Sequence, residues 1–470
     1  MTLATGHKWL DDELADCGDV VVQKVIGSNG NGITMSYTPS LVDEMLLTQS
    51  ILPRIQSDLE SGYDFSEAFD LEALRCETEH ERKHIIMKLF SGYLLLFIED
   101  RIHALSISKL PGRQPEESSS ELSIKGPRDG FVEEMSVNVG LIRKRLRTSS
   151  LKVEVFTLGT EVMVDMALLY LQGISKPEWV SEARKRLENI HVKGINGAAQ
   201  VEEMLADRSV SLFPLIDYAG RPDSAADALM TGSVVFLLEG SPLVFLAPVN
   251  LFSLLRSPED NYMPYHFVTV EKLVRVASLI ATIFLPGFWV AISAFNIDQI
   301  PFPLLSTIVL SRIGLPMSST MEMLLMLALF EVFREAGVRL PRAVGQTVAV
   351  VGGIIVGEAA IQAGFTSPTM LVVVSITIVS SFTLVNQSLY GAVTIMRLLV
   401  LILCMVFGMY GFFLAMMAVL TYLASIRSFG EPYLSPFGPL DLKQAILTLF
   451  RLPSNLSPGP YKPLKKNSGK

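Results

Sequence analysis

Between Val276 and Ile426 the chain is almost free of charge, and that run constrains the fold more than any other feature. Five bases (Arg312, Arg334, Arg339, Arg342, Arg397) and five acids (Asp298, Glu322, Glu331, Glu335, Glu358) are all it holds in 151 residues. Three stretches within it carry no charge at all: Val276–Ala294, Thr369–Ser388 and Leu398–Ile426. A bilayer core needs about 20 apolar residues as helix, so the first two match one crossing each, and the third is long enough to tilt. Ala343–Gly364 is a fourth span, interrupted only by Glu358. Pro301–Phe333 holds Pro301, Pro303, Arg312, Pro316 and Glu322; its uncharged runs are too short to cross, and it reads as a re-entrant or interfacial pair of helices.

The rest of the chain is a different object. Residues 1–250 hold 24 Lys+Arg and 37 Asp+Glu, and residues 251–470 hold 15 and 10, so a formal charge of −8 averages −13 and +5. Three cysteines, Cys17, Cys76 and Cys404, suggest no disulfide framework. The acidic, apolar-poor N-terminus does not read as a cleavable signal. The expected class is an α/β soluble N-terminal region of two small α/β subdomains, followed by an α-helical polytopic membrane domain.

Breaker-rich segments set the expected boundaries. Residues 1–32, ending in Gly27-Ser-Asn-Gly-Asn-Gly32, read as a flexible lead-in; 33–110 as the first subdomain; 111–120 (PGRQPEESSS) as a linker; 121–272 as the second subdomain; 273–426 as the membrane domain; and 427–470 as a basic cytoplasmic tail. Patterning predicts strands at Tyr93–Ile98, Lys152–Thr157 and Val162–Leu171, and helices over Gly130–Arg147 and Pro177–Leu187. An internal repeat aligns Ser91–Asp100 on Thr231–Gly240 without gaps, each reading as the end of a helix, a strand and a tight turn. Chance recurrence of apolar strands before acidic turns explains such a match equally well.

Orientation follows the basic residues. Seven Lys/Arg against two acids after Ile426 place the C-terminus in the cytoplasm, so crossings are even in number, four by this reading. Arg334, Arg339 and Arg342 then fall on the outer side, against the same rule.

No enzyme motif is present: no GxxxxGK[ST], GxGxxG after a strand, GxSxG or HExxH. Neither a cofactor nor a nucleic-acid partner is implied. Cys76, His80 and His84, four apart, could share a helix face as metal ligands, but the strongly polar surroundings and lack of a fourth ligand favour a solvated face. The basic run Arg143–Arg147 fits either a solvated face or contact with anionic lipid or an acidic neighbour.

The sharper constellation lies in the fourth span. At 100° per residue, Val351, Ile355, Glu358 and Gln362 fall within about 60°, with Gly353, Gly357, Ala360 and Gly364 opposite. Gly353–Gly357 is a GxxxG, which lets helices approach closely in lipid. An intramembrane carboxylate costs about 2.5–3.5 kcal/mol on insertion scales, so Glu358 must face protein or water. The first set is the candidate pore lining and the second the candidate packing face; repeated by symmetry, Glu358 would form a carboxylate ring and Val351 with Ile355 a hydrophobic constriction. The plain alternative is that Glu358 snorkels at a span end or pairs with Arg342 or Arg397.

Several blocks taken together carry a resemblance: Gly126-Pro-Arg-Asp-Gly-Phe131 with Leu141–Arg147, Leu168–Gly173, Glu239-Gly-Ser-Pro242, Ser257-Pro-Glu-Asp260, Arg334–Pro341 with Gly345-Gln346, and Arg427–Pro436. In this order over about residues 90–440 they resemble the bacterial spore germinant-receptor A-subunit family. That resemblance implies a multi-pass protein of the spore inner membrane with its soluble regions on the core side. The implied partners are membrane lipid, a transporter-like B subunit that senses nutrients, a lipoprotein C subunit, and further copies of the chain in a ring that conducts ions. The related stage V sporulation AF branch, proposed to form an amplifying channel, shares these motifs. A non-conducting signalling scaffold for the transporter-like partner is the remaining alternative.

Overall fold

A computed structural model describes residues 8–14, 17–26, 32–61, 71–76, 78–98, 101–109, 123–195, 197–208, 210–339, 357–438 and 440–453. The linker 111–120, Val351, Gly353 and Ile355 lie outside these residues, as do Arg342, Gly345 and Gln346.

Two five-stranded antiparallel sheets form the first half. Strands β1 (Val21–Ile26), β2 (Gly32–Tyr37), β3 (Glu72–Leu74), β4 (Tyr93–Ile98) and β5 (Arg101–Ser106) lie in the order β1-β2-β4-β5-β3. Strands β6 (Leu151–Leu158), β7 (Val164–Leu171), β8 (Asp217–Ala219), β9 (Val234–Leu238) and β10 (Val244–Ala247) lie in the order β6-β7-β9-β10-β8. Counted within each subdomain, the order is the same. The repeat seen in the sequence therefore extends to topology, and its register is kept at an offset of 140 residues. Helix α3 (Glu79–Leu89) packs on the face of β4 holding Leu95 and Phe97. Helix α7 (Pro222–Met230) packs on the face of β9 holding Val235 and Leu237. Leu94 and Leu96, like Val234 and Phe236, face the opposite core. Strand alternation sends successive side chains to opposite faces, so a one-residue slip would have exchanged them.

The segment expected as a flexible lead-in is structured over its described residues. Helix α1 (Lys8–Leu14) buries Leu10 and Leu14 fully, and β1 forms an edge of the first sheet. Composition showed its acidity but not these apolar anchors. From there the chain bridges the subdomains: Gly18 N–H donates to the Val153 carbonyl at 2.8 Å, and Lys152 Nζ to the Glu13 carbonyl at 2.7 Å.

The second half is a helical bundle of α8 (Tyr265–Val290), α9 (Phe302–Arg312), α10 (Ser319–Arg339), α11 (Pro368–Phe382) and α12 (Gln387–Ser425), with a helical segment at 357–362. The structure redraws three expected spans. The stretch Thr369–Ser388 yields a 15-residue α11 that ends at Phe382, because Asn386 caps a new helix by accepting from Ser388 N–H at 2.9 Å.

The 29-residue run Leu398–Ile426 is not one tilted span. It belongs to a helical hairpin, α12, broken at Gly408 (φ 58°, ψ −134°). Asn386, before its first turn, bonds Asp217, and Tyr422, in its last turn, accepts from Leu212 N–H. A straight helix would hold residues 386 and 422 about 54 Å apart. Leu212 and Asp217, five residues apart, can be separated by at most about 18 Å. Both ends of α12 therefore lie at the α/β end of the bundle, with arms 387–407 and 409–425 running out and back.

Third, the stretch expected as a pair of helices holds α9 and α10, and α10 is a 21-residue helix running the length of the bundle. Near its start Glu322 bonds Thr366 and Ser367, at the far end. Toward its finish the Arg334 guanidinium stacks 3.9 Å over Tyr390, near the α/β end. Arg334 thus lies at the end of the bundle next to the α/β region. Helix α9 stays at the far end, tied to it by Ser311–Thr369 (3.4 Å) and Arg312–Glu322 (3.7 Å).

Over its first described residues the segment after Ile426, expected as a basic tail, docks on the protein. Arg427–Pro432 forms a two-stranded hairpin, Ser428 Oγ accepts from Val249 N–H and donates to the Leu215 carbonyl, and Tyr433 is fully buried against Phe213. Small and aromatic side chains dock it, which a count of its lysines does not register.

Candidate functional site

In the 357–362 segment, Gly357 and Ala360 face inward. A Cβ on Gly357 would lie 3.3 Å from Leu371 of α11, so this face packs closely. Glu358 and Gln362 are exposed, one turn apart, with Gln362 Nε2 donating to Glu358 Oε1 at 3.2 Å. Gly364 ends the segment at φ 70°, close to the far end of the bundle. Among the described residues Glu358 has no cationic partner. Arg397, the described alternative, bonds Glu331 instead at 3.4 Å.

Two other carboxylates in the bundle are matched, although their spacing in sequence gave no sign of it. Glu322 is fully buried, accepts from Thr366 Oγ1 (3.1 Å) and Ser367 N–H, and so holds the start of α11 against α10. Glu331 meets Arg334 (2.5 Å), Arg397 and the Tyr390 hydroxyl (3.5 Å). Arg397 is 3% exposed, and a groove of about 690 Å³ opens between its helix and α10 beside Leu327, Glu331 and Glu335. A buried guanidinium without a carboxylate is costly, so Glu331 fixes α10 against the hairpin.

The family-like blocks converge on the junction between the second subdomain and the bundle. Arg221, before α7, is bidentate to Asp223 (3.0 and 2.7 Å) and bonds Glu259 at 2.6 Å; these carboxylates hold its pKa above the ordinary guanidinium value although burial opposes it. Glu259 also accepts from Lys125 N–H at 2.9 Å, and Asp260 is bidentate to Arg275 of α8 at 2.9 Å. Gly126 sits where a Cβ would fall 2.2 Å from Arg221 Nη2, so only glycine admits that approach. Glu239 of the second repeat accepts from Met135 N–H at 2.8 Å, at the start of α4 (Met135–Arg145). Glu259 and Asp260 of these blocks thus each satisfy a cation at the junction, and Glu239 a helix start.

A second contact links β8 to α12. Asn386 Nδ2 donates to Asp217, which also accepts from Tyr218 N–H at 2.8 Å. Burial, with the Glu202 carboxylate behind, pushes the Asp217 carboxyl up to about 6 against those two bonds. A cavity of about 470 Å³ opens beside it, lined by Asp217, Asp227, Arg256, Ser257, Asn386 and Ser388, among others. Part of the cavity wall therefore belongs to the α/β region and part to the first turn of the hairpin.

The basic run Arg143–Arg147 is neither a solvated face nor a lipid contact at its key positions. Arg143 is completely buried between the subdomains, bidentate to Asp19 (2.8 and 2.9 Å) and 3.9 Å over the Phe90 ring. Arg145 is bidentate to Asp129 (2.6 and 2.7 Å). Cys76 precedes α3, whose start is a Thr78–Glu81 capping box; among the described residues no three His, Cys, Asp or Glu gather as metal ligands.

Duplicated antiparallel α/β subdomains ion-paired to a bundle whose α8 and α12 are apolar enough to cross a membrane define the class. Residues 8–458 match the model of the Bacillus/Clostridium GerA spore germination protein family. The chain belongs to that family. It is 40% identical to spore germination protein XA of Bacillus anthracis over 90% of this chain and 87% of that one. It is 31% identical to spore germination protein KA of Bacillus subtilis (strain 168) over 94% and 82%. Among solved structures, the N-terminal domain of the A subunit of the Bacillus megaterium spore germinant receptor GerK3 aligns with 51% of this chain and 92% of its own, at 24% identity and a TM-score of 0.38.

Proposed function

We propose that the chain is the membrane-embedded A-type subunit of a nutrient germinant receptor in the spore inner membrane. Copies of it assemble as a ring that forms or gates a cation path, with a transporter-like B subunit and a lipoprotein C subunit as partners. The observation that carries this reading is Glu358, an exposed carboxylate between apolar helices, bonded to Gln362 and without a described cation. Its helix packs inward through Gly357 and Ala360, which leaves the acid facing outward from this one subunit. An unpaired carboxylate in that position needs water or a neighbouring copy, and a ring of subunits around an aqueous path supplies both.

The α/β region then lies on the core side, and its ion-paired junction with α8 transmits the signal. Glu358→Gln in the purified chain, reconstituted in liposomes, is expected to lower cation flux several-fold, and Val351→Trp to block it. Unchanged flux in both variants would overturn the pore assignment in favour of a scaffold for the transporter-like partner.

A further inference from the structure

The helix after the docked hairpin, α13 (Leu442–Leu449), contacts the bundle along only one side. Ala445 is buried, while Leu442 (66% exposed), Ile446 (57%) and Phe450 (43%), each four residues apart, face away from the protein. Spacing of four sets them in one stripe, with the exposed Lys443 at its edge.

The position of this helix on α8 is fixed by two bonds. Lys272 Nζ donates to the Thr448 carbonyl at 3.1 Å, and Arg451 N–H to Thr269 Oγ1 at 3.1 Å. Thr269 and Lys272 stand one to two turns before Val276, where the uncharged run of α8 begins. That is the depth of the headgroup layer for a helix whose apolar core starts at Val276. The charge is mainly basic as well: Leu440–Leu452 holds Lys443 and Arg451 against Asp441, whose carboxylate caps the helix by accepting from Lys443 and Gln444 N–H. Arg451 Nη1 is buried without a hydrogen-bond partner, a cationic donor still lacking an acceptor.

We propose that Leu440–Leu452 lies in the plane of the bilayer surface as an anchor that recognises acidic phospholipid. Leu442, Ile446 and Phe450 enter the boundary between headgroups and acyl chains, about 5–10 Å deep. Lys443 takes the phosphates, with the positive charge of Lys272 and Arg451 behind it. Leu440 (65% exposed) extends the apolar face on the N-terminal side. The anchor sets the height of α8 in the membrane, and with it the seat of the α/β region. This inference rests on the bundle being membrane-embedded.

The test uses the full chain with Cys76→Ser, carrying a nitroxide on a cysteine introduced at one site and reconstituted in phosphatidylcholine vesicles with or without phosphatidylglycerol. Ile446→Cys is expected to give higher collision with oxygen than with a water-soluble nickel chelate, relative to Met45→Cys in the first subdomain, and most strongly with phosphatidylglycerol. Phe450→Cys repeats the measurement should Ile446→Cys fail to fold. Lys443→Glu with Arg451→Glu should abolish the phosphatidylglycerol dependence. Ile402→Cys on the outer face of arm 387–407 reports the bundle separately. A lipid-exposed Ile402 with a water-exposed Ile446 overturns the anchor alone, whereas water exposure at both overturns the membrane reading. A label at Ile446 shielded from both reagents overturns the lipid proposal in favour of cover by a second copy.

Discussion

The two α/β subdomains share strand order, register and a glycine turn, yet among the described residues only the second is tied to the bundle by ion pairs. Its contacts, Arg221–Glu259, Asp260–Arg275 and Asp217–Asn386, all use residues at its bundle-facing edge. In the first subdomain, Glu72 of the outer strand β3 pairs with Lys88 of its own α3, and Asp43 with Lys109, so these charges close on the subdomain itself. Duplication supplied two copies of one scaffold. One copy is tied to the junction, and the other is joined to that copy through the Asp19–Arg143 link.

That link gives the largest expected effect. Arg143→Met leaves Asp19 buried and unpaired, which costs about 3–5 kcal/mol in comparable pairs. Chemical denaturation of the full chain in detergent should show an early transition confined to the first subdomain, with faster proteolysis there and an unchanged bundle. A single cooperative transition shifted as a whole would mean that the two subdomains are one unit and that the contrast drawn above is false.

The second effect concerns pH and belongs to the second subdomain. The Asp217 carboxyl titrates at about 6, above its ordinary value of 3.8. Its folded form therefore binds a proton more readily than the unfolded chain does, and stability falls as pH rises from about 4 to 6. The cost in full at pH 7 is of order 2–3 kcal/mol. Asp217→Asn should remove that slope and raise the denaturation midpoint at pH 7. A variant that keeps the slope, or is less stable at pH 7, would show that Asp217 is not the group responsible.

These contrasts were legible in the sequence to different degrees. The division into halves was plain, because charge density averaged over 151 residues is insensitive to detail. The repeat was visible in ten residues, and its strand β4 runs over the expected Tyr93–Ile98. The hairpin of α12 was hidden, since Gly408 is one glycine in an apolar run and no polar residue marks the reversal. Pairings such as Glu331–Arg397, 66 residues apart, were hidden too, because charge counts record residues and not partners. The same blindness made the buried Arg143 look like part of a solvated face.

The shared glycine turn allows a finer comparison. Gly92 (φ 87°) and Gly232 (φ 99°) occupy equivalent positions, and alanine in that conformation costs about 1–2 kcal/mol at either. A Cβ at Gly92 would also fall 2.5 Å from the Leu41 carbonyl oxygen, whereas at Gly232 the nearest atom is 3.3 Å away. Gly92→Ala should therefore destabilise more than Gly232→Ala, as read from urea midpoints. Equal losses would mean that the first subdomain yields at this turn and that the difference in packing carries no energy.

The smallest effect separates the starts of the two equivalent helices. Helix α3 begins with a capping box, Thr78 Oγ1 accepting from Glu81 N–H (3.3 Å) and Glu81 accepting from Thr78 N–H (2.9 Å). Helix α7 begins with Arg221 and Pro222, and Arg221 turns its side chain to Glu259 and Asp223 instead of capping the helix. The second copy thus gives up a local cap for a contact at the junction. Thr78→Ala should cost about 1 kcal/mol, visible as faster amide exchange in the first turn of α3 with α7 unaffected. Faster exchange in α7 as well would show that the two helices are coupled, and that the first subdomain is not as self-contained as its ion pairs suggest.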